Sequence, residues 1–338
     1  MSGSEAGPVS SISDPPPLPP PPPPPLSAPV IKRLNDTSDQ REQSKGQIVG
    51  RPVDCLSPFE QSRKAFRDLH LQGLLTEGED VVLSCYNPIK PVLQNGPVCG
   101  LVALSMASQL TNENHASPDA IFSEAQKQGF SKQGEMFSVS HMKELSSYFL
   151  ECPVKHLILG DDAQPEKSEL LEIITHLLLR NVLLVPYDAD KNHSPCLRKG
   201  HKAHWAVITG IFVAFPGLDS PPINIKTACE MDTEIPSLCH WPEHPPLSLC
   251  KDLASFVTDS LSHAKQNNSS SFPVRLYVYG HQGKSKHARL WNLSELLQSN
   301  AQLEESGPQR DTEDYVIPME GVASGLKSQM LIVKRRFE

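Results

Sequence analysis

QNGPVCGLVALSMASQL, Gln94 to Leu110, sets a single Cys-Gly where a Gly-Pro loop gives way to an apolar run. Pro97 blocks helix before it, and Gly96 lets the loop turn. Val98, Leu101, Val102, Leu104 and Met106 anchor the run to a core, so the stretch predicts a buried helix that starts at Cys99. A thiol in a first helical turn faces unpaired amides and the positive end of the dipole, both of which favour its thiolate. A cysteine that is only a small buried hydrophobe needs no such setting, although Cys-Gly alone does not decide between the two readings.

Outward from this stretch, the first half of the chain reads as mostly helical. Segments 57–75, 116–130, 138–151 and 166–180 carry Ser-Pro or Ser starts or amphipathic runs. The second half changes period. NVLLVPYD (181–188), AHWAVITGIFVAF (203–215), VRLYVYG (274–280), YVIPM (315–319) and QMLIVKR (329–335) are rich in β-branched and aromatic residues and predict strands. Helices first and sheet second give an α+β fold. Between 215 and 273 a stretch rich in Pro, Ser, Asn, His and Cys breaks the strand pattern and reads as a loop insertion with one helix at 250–266. Its Cys229, Cys239, His240, His244 and Cys250 lack the CxxC spacing of a structural zinc site, so a solvated loop with no metal is expected.

The chain has 338 residues, and its 32 prolines are concentrated at the N-terminus. Residues 1–54 read as a disordered arm in which Pro15 to Leu26, PPPLPPPPPPPL, is held in polyproline II by the fixed φ of proline. Residues 55–338 then form the folded domain. A formal net charge of −8 argues against nucleic acid or an anionic membrane as the main partner. No apolar run approaches the roughly 18 residues of a membrane span, and the first residues lack the pattern of a secretory signal. The expectation is a cytoplasmic protein whose eight scattered cysteines stay reduced. The proline runs, broken by single leucines with no basic residue in PxxP register, suit a profilin-type groove better than an SH3 domain.

A cysteine nucleophile requires a base. KAHWAVITGI places His204 at the mouth of a buried strand, an odd position for an imidazole without a partner. Gln94, just upstream of Cys99, is placed to donate its side-chain amide to an oxyanion. QNGPVCGLVALSM followed by HWAVITGI resembles the papain-like cysteine peptidases, specifically their C39-like group. Together with the proline-rich head and HQGKSKHARLW (281–291), it resembles the actin maturation protease family. The resemblance implies a papain-like α+β fold, with a helical half carrying Cys99 packed on an antiparallel sheet carrying His204. It implies an aminopeptidase that removes the N-terminal acetylated Met or Cys from immature actin without cofactor or metal, its proline-rich head engaging profilin.

Carried over by motif, Cys99 is the nucleophile, His204 the general base and acid, and Gln94 the oxyanion donor. The glutamine stands five positions before the cysteine where the C39-like pattern has six, which leaves Asn95 as the alternative donor. The Asp-Pro step that orients the histidine in that group is absent. Gln282 is the candidate in its place, ahead of Asp219 and Asp232. Loops on one rim, including part of 215–273, are expected to close the cleft on the acetyl side. Two rival readings remain: a papain-like peptidase or deubiquitinase with another substrate, and a non-enzymatic adaptor whose arm recruits profilin or an SH3 domain.

Overall fold

The computed structural model describes residues 56–76, 80–111, 115–160, 165–217, 225–266, 274–307 and 312–335. The chain divides into two units, Met1–Ile48 and Val49–Glu338. The proline-rich arm, with Pro15 to Leu26, lies outside the described residues, as does Asp219.

In chain order the second unit runs α1 (Pro58–Leu71), β1 (Asp80–Tyr86), α2 (Cys99–Ser108), α3 (Pro118–Lys127), α4 (Val139–Phe149), β2 (Val154–Ile158), α5 (Lys167–Leu178), β3 (Val182–Asp188) and β4 (Ala203–Pro216). It continues with α6 (Ile225–Ala228), β5 (Glu230–Met231), β6 (Leu238–His240), α7 (Leu247–Gln266), β7 (Arg275–His281), β8 (Arg289–Asn292), α8 (Leu293–Ala301), α9 (Val322–Leu326) and β9 (Gln329–Val333). Among the described residues these strands form one mixed sheet, ordered β2-β9-β3-β4-β1-β6-β5, with β7 beside β4 and β8 beside β7. Its pairings are antiparallel except β1 with β6.

Strand β4 organises the sheet. Its first half, Ala203–Ile208, pairs with β3, its second half, Gly210–Pro216, pairs with β1, and β7 runs along Val207–Ala214. A bulge at Thr209 separates the halves. The extra residue resets the alternation of faces. Ala206 and Ile208 before it, and Ile211, Val213 and Phe215 after it, all join the core packed under α5, α7 and α8. Trp205 and Val207 point the other way, into the core shared with α2, α3 and α4. Gly210 follows the bulge because an added Cβ would lie 2.0 Å from the Cys85 carbonyl oxygen.

The helices start where Ser-Pro and Ser signals place them. Ser57 closes a capping box with Glu60, and the Ser117 and Ser138 hydroxyls accept the amides of Ala120 and His141. Helix α2 is apolar all round, and every residue from Gly100 to Ser108 is buried.

Three expectations need correction. The expected helix at 250–266 is present within α7, but the rest of the described residues 225–266 are not a solvated loop. The stretch supplies β5, β6 and α7, with Cys239, Trp241, Cys250, Leu253 and Val257 built into the main core. Strands β1 and β2 lie in the half read as helical. YVIPM forms no strand: the Val316 amide goes to the buried Glu135 carboxylate at 2.8 Å instead of to a ladder.

Candidate active site

Cys99 occupies the first position of α2 and is half-buried. The preceding Val98 provides no side-chain cap, so the amides that open the helix point toward whatever approaches the thiol. Gly100 allows the helix start to press against the domain. A Cβ there would lie 2.9 Å from the Cβ of Met136 and 3.2 Å from Cδ1 of Trp205.

The loop before the helix is pinned by the turn that follows β7. The Gln94 amide donates to the Gly283 carbonyl at 2.8 Å, and a Cβ on Gly283 would collide with the Gln94 side chain. Gln94 Nε2 donates one hydrogen to the Gly96 carbonyl at 2.9 Å. A primary amide carries two hydrogens, which leaves the other for a ligand. Asn95 is exposed.

His204 lies near the start of β4, directly across from Tyr187 on β3, and is 9 % exposed. Its ring meets the Tyr187 ring edge to face at a centroid distance of 5.9 Å. On another side it lies 5.8 Å from the His193 ring, with the two planes 29° apart. Burial, followed by the charges of His204, Lys284 and Arg289, lowers the pKa of His193. Burial, together with the nearby Cys99 and Asp190, raises that of Tyr187 well above the phenol range.

The connection between β3 and β4 is tied down by the fully buried Asp188. Its carboxylate accepts the amides of Arg198 (2.7 Å), Gly200 (3.1 Å) and Lys202 (3.1 Å). These bonds fix the loop that carries Asp190, Lys191 and His193.

Gln94, Cys99 and His204 line one cavity of about 340 Å³. Gln282 does not. It is buried beside the cavity, where its Oε1 accepts the Lys284 amide at 2.6 Å. Asp232 binds Arg63 and His240, and its carboxyl pKa is about 2: burial pushes it up, but bonds from His240, Arg63 and the amides of Glu234 and Ile235 outweigh that. The cavity wall comes from Met136, Phe137, Tyr315 and the β3–β4 connection. Among the described residues, none of it comes from 215–273, contrary to expectation. The reason is topological, because β6 and α7 pack into the sheet and its core and do not overhang the site.

The lining also contains Lys191, Lys202 and Lys284, which the sequence reading missed. The cavity's two carboxylates turn to backbone amides. Glu135 accepts those of Lys132, Gln133 and Val316, and Asp190 those of Asn192 and Ser194. The lining thus combines three lysines with two carboxylates whose oxygens are engaged by backbone amides. Among the described residues no group of three His, Cys, Asp or Glu side chains is placed to hold a metal. The arrangement delivers a thiol at a helix start, an imidazole on a rigid strand and a primary amide to one space, the groups that acyl transfer through a thioester uses.

A family model described as actin maturation protease-like, C-terminal domain, matches residues 89–212. A relative from Danio rerio named "Actin maturation protease" is 36% identical over 262 residues, which cover 75% of this chain and 74% of the relative. The chain belongs to the actin maturation protease family. Relatives of the same name from Mus musculus and Homo sapiens are also 36% identical, over 72% and 75% of this chain and 61% and 65% of their own lengths. The match thus spans less than two thirds of those two proteins. No solved structure matches. In this family member, Gln94, Cys99, His204 and the β3–β4 connection all fall within the matched residues, whereas Gln282 and the turn that holds Gln94 fall outside.

Proposed function

We propose that this chain is a papain-like cysteine peptidase that removes the N-terminal acetylated Met or Cys from immature actin. One observation carries the reading: Cys99 at the start of α2, His204 on β4 and Gln94 line a single cavity. The family's name supports the substrate.

The Cys99 thiolate attacks the carbonyl of the acetylated residue. The developing oxyanion is held by the Cys99 amide and the second hydrogen of Gln94 Nε2. His204 protonates the departing amine of the shortened actin, leaving a thioester on Cys99. It then takes a proton from water as that water attacks, releasing the acetylated amino acid and the thiol. The apolar wall of Met136, Phe137 and Tyr315 suits an uncharged first residue. Gln282 is retained as an outer support of the site. It acts through the turn whose Gly283 holds Gln94.

In this reading Pro15 to Leu26 binds profilin and so raises the local concentration of profilin-bound actin. The setting is the cytoplasm. The test is mass spectrometry of actin N-termini after incubation with wild-type and Cys99→Ala protein. Loss of the acetylated residue with the wild type alone is expected, and an intact terminus with both rejects the reading. Internal cleavage of long peptides would point instead to a general papain-like peptidase.

A further inference from the structure

We propose that His193 is a positioning residue for His204, and that Tyr187 tethers it in place. The proposal rests on the catalytic role given to His204 above. Three observations converge on it. The His204 ring packs against two others, Tyr187 edge-on at 5.9 Å and His193 at 5.8 Å with planes 29° apart. The same tyrosine that packs against His204 donates its hydroxyl to the His193 carbonyl at 2.9 Å, so one neighbour of the imidazole holds the other. His193 also has a positive φ of 60°, a left-handed conformation that few non-glycine residues adopt, histidine being among those enriched there.

The surroundings sustain that conformation. Asp190 Oδ1 accepts the amides of Asn192 and Ser194, the Asp190 amide donates to the Ser194 carbonyl, and Ala189 bridges to Pro195. Trp291 packs on the far side of Tyr187 at 5.1 Å. The tight turn therefore aims an aromatic ring at His204. The Asp-Pro step that orients the histidine in the C39-like pattern is missing after β7, where Gln282-Gly283 stands, and the two rings supply orientation by packing. The groups facing His193 are His204, Lys284, Arg289 and Asp190. Burial first, then the charges of His204, Lys284 and Arg289, lowers its pKa against the opposing Asp190, the direction that suits a packing surface beside a base that must become charged.

The test uses the full chain and four proteins: wild type, His193→Ala, His193→Phe and Tyr187→Phe. The first readout is kcat and KM on an acetylated peptide. The second is the pH dependence of Cys99 alkylation by iodoacetamide, which needs no substrate and keeps this proposal testable if the peptidase reading fails. His193→Ala is expected to lower kcat about tenfold or more with little change in KM. It should also raise the pH of half-maximal alkylation, because a wandering imidazole supports the thiolate less well. His193→Phe should restore most of both, and Tyr187→Phe should shift both in the same direction as His193→Ala, by less. A His193→Ala protein that matches wild type overturns the proposal. So does a His193→Phe protein as impaired as His193→Ala, which would make the imidazole nitrogens the working part. An unchanged Tyr187→Phe overturns the tether.

Discussion

At the scale of single residues, the site separates one thiol from the rest. Burial raises the pKa of Cys85, Cys152 and Cys196 to about 11, and that of Cys229 and Cys250 to about 12. Cys99 lines a cavity at a helix start instead. Substoichiometric iodoacetamide at pH 7 should therefore modify Cys99 ahead of these five thiols, with peptide mapping as the check. Gln94→Ala should lower kcat about 10²- to 10³-fold, the usual cost of one oxyanion donor, while leaving alkylation of Cys99 intact. The two halves of the pair were legible because each is marked locally, by Gly-Pro before the cysteine and by an apolar strand after the histidine. His193 was not legible. Its role depends on a left-handed turn and a hydroxyl six residues away, and neither leaves a pattern in composition or period.

At the scale of elements, the site depends on two close fits. Gly100→Ala gains up to about 1 kcal/mol of helix propensity. It also drives a methyl group into the Met136 side chain, an overpacking that costs about 1–3 kcal/mol. A lower Tm in calorimetry, with a larger proportional loss of kcat as α2 shifts against β4, is the expected result. Asp188→Asn should loosen the β3–β4 connection, because its new NH₂ group faces amide donors in a fully buried pocket. A loss of about 1–3 kcal/mol by urea denaturation is expected. The helix starts were readable from Ser-Pro, and β3, β4, β7 and β9 from their β-branched runs. In the 215–273 stretch the helix at 250–266 was readable but β5 and β6 were not, because they are two and three residues long and lie in a proline-rich setting. YVIPM has the composition of a strand, yet a buried carboxylate claims its amide.

At the scale of the whole molecule, acid should weaken the fold through one ring in particular. Burial lowers the pKa of His281 to about 3, and the ring bonds Tyr86 through Nε2 at 3.1 Å. The unfolded chain binds that proton near pH 6.5. The stability from keeping the ring neutral is therefore complete above about pH 6.5 and lost as the pH falls toward 3. The urea midpoint should drop across pH 6.5 to 4. The double variant Tyr86→Phe, His281→Phe, which removes both partners and keeps the rings, should flatten that slope. Some slope should remain, because burial also lowers the pKa of His141, His156 and His176. Asp232 acts only below about pH 4. A second prediction follows from cationic lysines in a chain of net charge −8. Acetylated peptides with carboxylates beside the scissile bond should be cleaved faster than neutral ones at low ionic strength. The advantage should fade toward about 0.5 M salt, where screening lengths fall below about 5 Å.

The sheet also implies an order in which warmth dismantles the machinery. His204 sits on a strand bonded to three others, whereas Gln94 sits in a segment without ladder bonds, held by its contacts to Gly283 and Gly96. Heating should release the amide arm first, so turnover should fade reversibly some degrees before circular dichroism records any melting.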